Sequence, residues 1–101
     1  MKGERKERRA HPRIHVVAKV EVEAQGRSFV AVVRNISAGG MHIYTANPAA
    51  LDDRLQLAFS LPDSEKTIRV RAVVRSVFPD SAMGVQFEEL AAEDAAAIRA
   101  Y

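Results

Sequence analysis

The sequence predicts a small all-β domain of six antiparallel strands with a short C-terminal helix. Three observations predict it. The chain has 101 residues, which suits a single domain. Its apolar residues alternate with polar ones through most of its length, and turn-forming residues interrupt this alternation at regular intervals. Strands of this number and spacing favour a closed barrel or a sandwich, because both protect the edge strands that would otherwise aggregate.

The first two strands are predicted to form a hairpin. From Ile14 onward, apolar residues alternate with charged ones, as in a half-buried strand. Residues 24–27 supply a turn, and a β-branched run from Phe29 to Val33 continues as the second strand until Asn35.

Four more strands follow, each bounded by turn-forming residues. They are predicted over residues 41–45, 55–61, 68–78 and 83–88. The fifth strand has a basic outer face, because Arg69, Arg71 and Arg75 alternate with its apolar residues. The phenylalanines of the chain mostly fall on predicted core faces.

The last stretch, Ala91 to Tyr101, is predicted to be a helix. It loses the two-residue period, is rich in alanine and has its acidic residues early, where a helix N-terminus favours negative charge. We expect Leu90 and Ile98 to hold this helix against one end of the barrel.

Residues 1–13 are predicted to form a flexible basic arm that precedes the barrel of residues 14–101. The arm holds six basic and two acidic residues, so it carries +4 and the remaining chain −2 of the total charge of +2. It is polar and lacks apolar anchors, a composition typical of mobile chain. Such an arm either meets a phosphate-bearing partner or is simply a solvated leader.

Composition disfavours several classes of function. The chain has no cysteine, which removes disulfides and cysteine-ligated metals. Its three histidines lack a metal-binding spacing, and no serine or carboxylate has an evident catalytic partner, so no metal site and no catalytic residue are expected. No apolar run approaches the ~20 residues that cross a bilayer, and none resembles a secretory signal. We therefore expect a cytoplasmic protein without membrane insertion.

Two segments carry more chemistry than a plain barrel needs. The first is an arginine cluster at the end of the arm, formed by Arg8, Arg9 and Arg13. Pro12 biases the residue before it toward an extended conformation, which predicts a shaped loop. A guanidinium fork can bond two phosphate oxygens or the O6 and N7 edge of guanine, and its flat face can stack on a base.

The second segment is Asn35-x-Ser37-x-x-Gly40, at the end of the second strand. Asn35 offers amide donors and an acceptor, and Ser37 offers a hydroxyl. Gly40 permits a positive φ or a close approach of the backbone to a ligand. The same residue types form ordinary turns, so this segment alone does not define a site.

Together these segments resemble the PilZ domain family. That family's pattern is Arg-x-x-x-Arg near the start, then Asp or Asn-x-Ser-x-x-Gly, on a six-stranded barrel with a C-terminal helix. Residues 9–13 and 35–40 match the two parts in order, and residues 83–87, Met-Gly-Val-Gln-Phe, are similar to the family's last-strand Gly-Val-x-Phe. The resemblance covers essentially the whole chain.

The resemblance implies a non-catalytic receptor for the bacterial second messenger cyclic di-GMP, bound between the arm and the barrel. Arg9 and Arg13 would contact its phosphates and guanine faces or edges. Asn35 and Ser37 would bond a guanine edge, and Gly40 would keep the barrel surface open to the ligand.

Three neighbouring residues refine this expectation. In similar family members, an arginine at the position of Arg8 favours an intercalated pair of cyclic di-GMP molecules, so two ligands per chain are expected. Asn35 replaces the commoner aspartate and makes a neutral hydrogen bond, which predicts a somewhat weaker affinity. Arg34 and Arg75 either add positive potential near the site or are ordinary surface charges.

Ligand binding is expected to order the arm, and an unidentified effector protein would read that surface in motility, exopolysaccharide production or biofilm formation. Two alternatives remain open. One is a family member that no longer binds ligand and serves as a protein-interaction module. The other, less favoured, is a nucleic-acid-binding barrel, because the sequence offers a basic arm but no apparent platform of stacking aromatics.

Overall fold

A computed structural model of the chain describes residues 14–101. It contains six strands and one helix, which confirms the predicted all-β class. The elements are β1 (Ile14–Ala24), β2 (Arg27–Ile36), β3 (Gly40–Tyr44), β4 (Arg54–Phe59), β5 (Ile68–Phe78), β6 (Ala82–Glu88) and α1 (Ala92–Ala100). The predicted arm, residues 1–13, lies outside the described residues.

The strands close into one antiparallel barrel in the order β1-β2-β3-β6-β5-β4. Closure is made by β1 and β4, which pair from Val20↔Phe59 to Glu23↔Gln56. Of the two architectures that the sequence allowed, the observed one is therefore the barrel. Closing the ring pairs strands that a sandwich would leave as edges.

The turn between β1 and β2 follows from its two central residues. Gln25 and Gly26 both have positive φ, 50° and 82°. Two such residues form a type I′ turn, whose twist matches that of the flanking strands. This geometry fixes the register in which β1 and β2 pair.

Inward-facing residues from every strand build the core. The Phe59 and Phe87 rings stack there with centroids 6.2 Å apart. Burying each large apolar side chain stabilises the fold by about 1.5–3 kcal/mol. The largest side chains that are fully buried are Ile36, Ile43, Met83, Ile98, Val20, Val22, Val33 and Val74.

Phe78 departs from the predicted pattern. It is 46% exposed, so the expectation that phenylalanines occupy core faces is right for Phe59 and Phe87 and wrong for Phe78. The cause is a shift in the β5–β6 register between Val74 and Ser76. Side chains of a strand alternate between its two faces with a period of two. An extra residue in the strand therefore turns the residues after it to the opposite face, so that those expected in the core point outward.

The helix α1 is held against the barrel as predicted, with Ile98 buried and Leu90 packed against the core. A second contact is electrostatic. Asp94 is buried, and its Oδ1 atom lies 3.1 Å from Lys66 Nζ, which is also 3.1 Å from Glu93 Oε2. Hydrogen bonds from Lys66 to Asp94 and then to Glu93 raise the pKa of Lys66. This ion cluster ties α1 to the loop before β5.

Candidate functional site

A polar groove of about 730 Å³ lies on the outer wall of the barrel where β3, β6 and β5 meet. It contains hydrogen-bonding side chains, one guanidinium group and exposed backbone. Its lining residues are Asn35, Ser37, Ala38, Gly39, Gly40, Met41, His42, Arg75, Ser76, Gly84, Val85, Gln86, Phe87 and Leu90. The three described residues of the predicted site, Asn35, Ser37 and Gly40, are thus brought together here, whereas Arg8, Arg9 and Arg13 lie outside the described residues.

The floor of the groove is largely backbone. Three of the five glycines in the chain line it, namely Gly39, Gly40 and Gly84. The absence of side chains at these positions leaves room above the backbone for a bound group.

The structure gives a reason for glycine at position 40 that the sequence did not reveal. Its backbone does not adopt a positive φ. Instead, β3 and β6 approach so closely that a Cβ at Gly40 would lie within 3.0 Å of the carbonyl oxygen of Val85. The atoms nearest to this Cβ all belong to the β6 backbone, so no side-chain movement could relieve the clash. Glycine is therefore needed for strand pairing, whatever the groove binds.

The turn before β3 is fixed by backbone and hydroxyl hydrogen bonds. Ser37 N–H donates to the Gly40 carbonyl at 2.9 Å, and Ser37 Oγ accepts the Gly39 N–H at 3.1 Å. The Gly39 carbonyl in turn accepts the Phe87 N–H of β6 at 2.8 Å. Ser37 is half-buried, and its hydroxyl shapes the turn from within the groove lining.

Asn35 lies on the rim at an irregularity in β2. The β2–β3 register shifts between Val33 and Asn35, and Asn35 pairs with His42 on β3. On its other side it pairs with His15, near the first described residue of β1. Bulged positions re-aim side chains relative to a regular strand. Asn35 is half-buried and faces the groove.

Arg75 is a groove residue that sequence reasoning left undecided. Its Nε donates to Gln86 Oε1 at 2.8 Å, and its Nη1 lies 3.5 Å from Asp52 Oδ1. Asp52 reaches this position because its loop docks on β5, where its N–H donates to the Val74 carbonyl at 2.9 Å. The groove therefore contains a cation that two partners hold in place.

Arg34 has a different role. Its guanidinium lies 5.5 Å from the centroid of the Tyr44 ring, and it is not among the residues that line the groove. Of the two arginines that were candidates for added positive potential, Arg75 faces the groove and Arg34 packs on an aromatic ring.

An aromatic cluster adjoins the groove. The His42 ring contacts Tyr44 at 5.0 Å and Phe78 at 5.4 Å, measured between centroids. His42 and Phe78 come from β3 and β5 and lie diagonally across β6, where Gly84 pairs with His42 and Ala82 pairs with Phe78. The sequence showed no such cluster, because the register shift in β5 turns Phe78 outward.

The part of the chain that the structure describes has neither a metal-binding cluster nor a membrane-spanning helix. Residues 14–101 contain no group of three or more His, Cys, Asp or Glu side chains placed to hold a metal ion. Within the same range, no helix has the length and apolar character needed to span a membrane.

The fold and the groove define a small closed β-barrel with a polar surface site next to the start of β1. The family model for the PilZ domain matches residues 7–101, and the chain belongs to the PilZ domain family. The alginate biosynthesis protein Alg44 of Pseudomonas putida is 33% identical over 95 residues, which cover 90% of this chain and 24% of that protein.

A solved structure is similar as well. The Bacillus subtilis inhibitor of motility, MotI/DgrA, has a TM-score of 0.80 and 28% identity, covering 92% of this chain and 48% of its own. This chain therefore spans about a quarter of Alg44 and about half of MotI. The match to MotI extends over nearly the whole barrel.

Proposed function

We propose that this protein is a non-catalytic cytoplasmic receptor for cyclic di-GMP, which binds in the groove beneath the arm and signals to a partner protein. Membership of the PilZ domain family supports the ligand. The names of the two relatives, an alginate biosynthesis protein and an inhibitor of motility, support an output in exopolysaccharide production or motility.

The observation that carries the proposal is the strand pairing at the start of β1. Ile14 pairs with Ile36, so the chain enters the barrel beside the turn that begins at Asn35. Arg13 is covalently joined to Ile14. Because an extended chain spans at most ~3.6 Å per residue, Arg9 stays within about 18 Å of Ile14. Both arginines can therefore reach a ligand in the groove.

The groove offers groups that suit a guanine nucleotide. The Asn35 amide and the Ser37 hydroxyl can donate to and accept from a guanine edge. Arg75 offers a guanidinium whose orientation is set by Gln86 and Asp52. Guanidinium groups bind phosphate oxygens in bidentate geometry, so Arg75 would add to the two arm arginines.

The proposal includes a stoichiometry. Arg8 adds a third arm guanidinium directly before the motif. An additional guanidinium can stack on and bond a further guanine, and two cyclic di-GMP molecules would then bind each chain. A titration that saturates at one ligand per chain would contradict this part alone.

Isothermal titration calorimetry of cyclic di-GMP into the full chain tests the proposal. We expect saturable binding to the wild type and at least a 100-fold loss of affinity in Arg9→Ala/Arg13→Ala, since each charge-assisted hydrogen bond contributes about 1.5–3 kcal/mol. Arg99→Ala, on the exposed end of α1, is the matched control and should bind as the wild type does. GTP should give no comparable heat.

The result that overturns the proposal is an absence of binding heat from a folded wild-type protein. A ligand-independent interaction module would then be the better description. Binding of short oligonucleotides with a steep salt dependence would instead favour the nucleic-acid-binding alternative.

Signalling is proposed to arise from the arm. Phosphate groups on the ligand would draw the arm arginines onto the barrel and create a new surface for a partner. Amide hydrogen exchange should then show protection of residues 5–13 when cyclic di-GMP is added. An arm that exchanges equally with and without bound ligand would refute this mechanism while leaving the binding proposal intact.

A further inference from the structure

The outer face of β1, β4 and β5 carries two rows of residues with the same order of charge, which we call the charge-striped face. In each row an acid on β1, an uncharged residue on β4 and an arginine on β5 are cross-strand neighbours. The rows are Glu21-Ala58-Arg69 and Glu23-Gln56-Arg71. Within these two rows the face has an acidic edge on β1 and a basic edge on β5; Lys19, exposed two residues before Glu21 on β1, lies outside both rows.

These charges are not neutralised within their rows. Neighbouring strands are about 4.8 Å apart, so the acid and the arginine of a row are separated by about 10 Å at the backbone. No ion pair joins them in the described part of the chain, and Arg71 contacts Glu89 instead. The small side chain of Ala58 helps to leave a depression of about 300 Å³ that Glu21 and Arg69 border.

We propose that the charge-striped face binds a second copy of this chain in a two-fold symmetric dimer. A two-fold axis parallel to β4 and passing over Ala58 sets the acidic edge of each copy over the basic edge of the other. Every charge pair then forms twice, as a two-fold interface requires. An axis across the strands would oppose like charges in both rows, so charge complementarity of the rows selects one orientation. That orientation also brings Arg54 of the two copies together at the start of β4, where each lies 3.9 Å from Glu88 of its own chain.

The surroundings of the face favour this occupant. Val17 and Val30 lie on β1 and β2 beside the acidic edge, and they are 72% and 62% exposed. Association that covers them removes apolar surface from water, at about 25 cal/mol for each Å². Ala58 lies on the axis, where a small side chain lets the two sheets approach closely.

The dimer would not obstruct the groove. The strand β5 borders both surfaces, but the charge-striped face uses Arg69 and Arg71 in its first half, whereas the groove uses Arg75 and Ser76 at the register shift. Both copies would keep their grooves open. The dimer therefore does not rest on the proposed ligand, and either proposal can fail without the other.

Sedimentation equilibrium of the full chain tests the dimer through charge reversal. At about 50 mM salt we expect a dimeric mass for the wild type, which decreases toward the monomer at about 500 mM as the charges are screened. Glu21→Arg and Arg69→Glu should each raise the dimer Kd at least about tenfold, because each reversal places two like-charged contacts in the interface. An equimolar mixture of the two variants should recover the dimeric mass, since every contact is then between opposite charges.

The mixture makes the test specific. Misfolding of one variant could mimic a loss of dimer, but mixing with the other variant could not repair it. The double variant Glu21→Arg/Arg69→Glu should also dimerise, because its two edges exchange charge and stay complementary. Arg99→Glu, away from the charge-striped face, should leave the mass unchanged. A monomeric wild type at low salt, a dimer insensitive to both reversals, or a mixture that stays monomeric would each overturn the proposal.

Discussion

Replacement of Gly40 by alanine separates the two roles that this position could have. If Gly40 only keeps the groove open, Gly40→Ala should bind ligand poorly but remain as stable as the wild type. In the structure, the added Cβ would lie within 3.0 Å of the Val85 carbonyl oxygen and close to Gln86 Cα. Because these are backbone atoms, β3 and β6 would have to separate.

The expected cost follows from the contacts around Gly40. Forcing a methyl group into a packed site costs about 1–3 kcal/mol. Separation of the strands also weakens the bond from the Phe87 N–H to the Gly39 carbonyl, 2.8 Å long, at about 1 kcal/mol. The lower entropy of the unfolded alanine chain offsets about 0.5–1 kcal/mol. The free energy of unfolding should therefore fall by about 1–3.5 kcal/mol.

Urea denaturation followed by circular dichroism measures this change. With an m value of about 1 kcal/mol per M, the midpoint should fall by roughly 1–3.5 M. Gly26→Ala is the matched control, because Gly26 has a positive φ of 82° but no neighbour within 4 Å of an added Cβ. Strain alone should then cost about 1–2 kcal/mol. A Gly40→Ala protein that is no less stable than Gly26→Ala would refute the reasoning.

Three further predictions follow from named contacts. Arg75→Gln should weaken cyclic di-GMP binding about tenfold or more in calorimetry, since it removes a charge-assisted contact, whereas Arg54→Gln on the neighbouring strand should not. At a pH below 10.5, Lys66→Met should lower the melting temperature, because the pKa of Lys66 is raised in the folded state and its charged form therefore stabilises that state. The difference in melting temperature from wild type should shrink as the pH rises through the raised pKa. Ile98→Ala should cost about 2–4 kcal/mol of unfolding free energy in urea and expose α1 to hydrogen exchange, because Ile98 is the buried apolar anchor of the helix.

Each of these has a contrary outcome. Equal losses of affinity in the two arginine variants would mean that general surface charge matters and the groove position does not. A melting-temperature difference between Lys66→Met and wild type that stays constant with pH would mean that the charge of Lys66 does not stabilise the folded protein. An isoleucine variant as stable as the wild type would mean that α1 is held by its ion cluster alone.

Alternation in the sequence was sufficient to predict the strands, because each strand buries one face, and its loss after Leu90 predicted the helix. Alternation left the choice between barrel and sandwich open, and the pairing of β1 with β4 decides for the barrel. The turn at Gln25-Gly26 was predictable for the same local reason, since glycine tolerates the positive φ that the hairpin needs. The grouping of Asn35, Ser37 and Gly40 was also predictable, because they belong to one turn. These features depend on neighbours in sequence.

Features that depend on register could not be predicted. Phe78 follows an irregularity in β5, and a two-residue period gives no signal of the change of face. Arg75 enters the groove only because β5 lies beside β6 and the loop of Asp52 docks on it. The close approach that requires Gly40 is a contact between β3 and β6, which are far apart in the chain.

The glycine-lined groove has a consequence for which substitutions this barrel can accept. Gly39, Gly40 and Gly84 present no side chains to the groove, and an added Cβ at Gly40 is blocked by the β6 backbone beside it. The Gly39 amide and carbonyl groups and the Gly40 carbonyl already make hydrogen bonds within the protein. Substitutions that alter what the groove accepts while the barrel stays folded are therefore expected at its rim and in residues 1–13. Exchange of residues 1–13 for those of a relative should then change binding and leave the stability of the barrel unchanged.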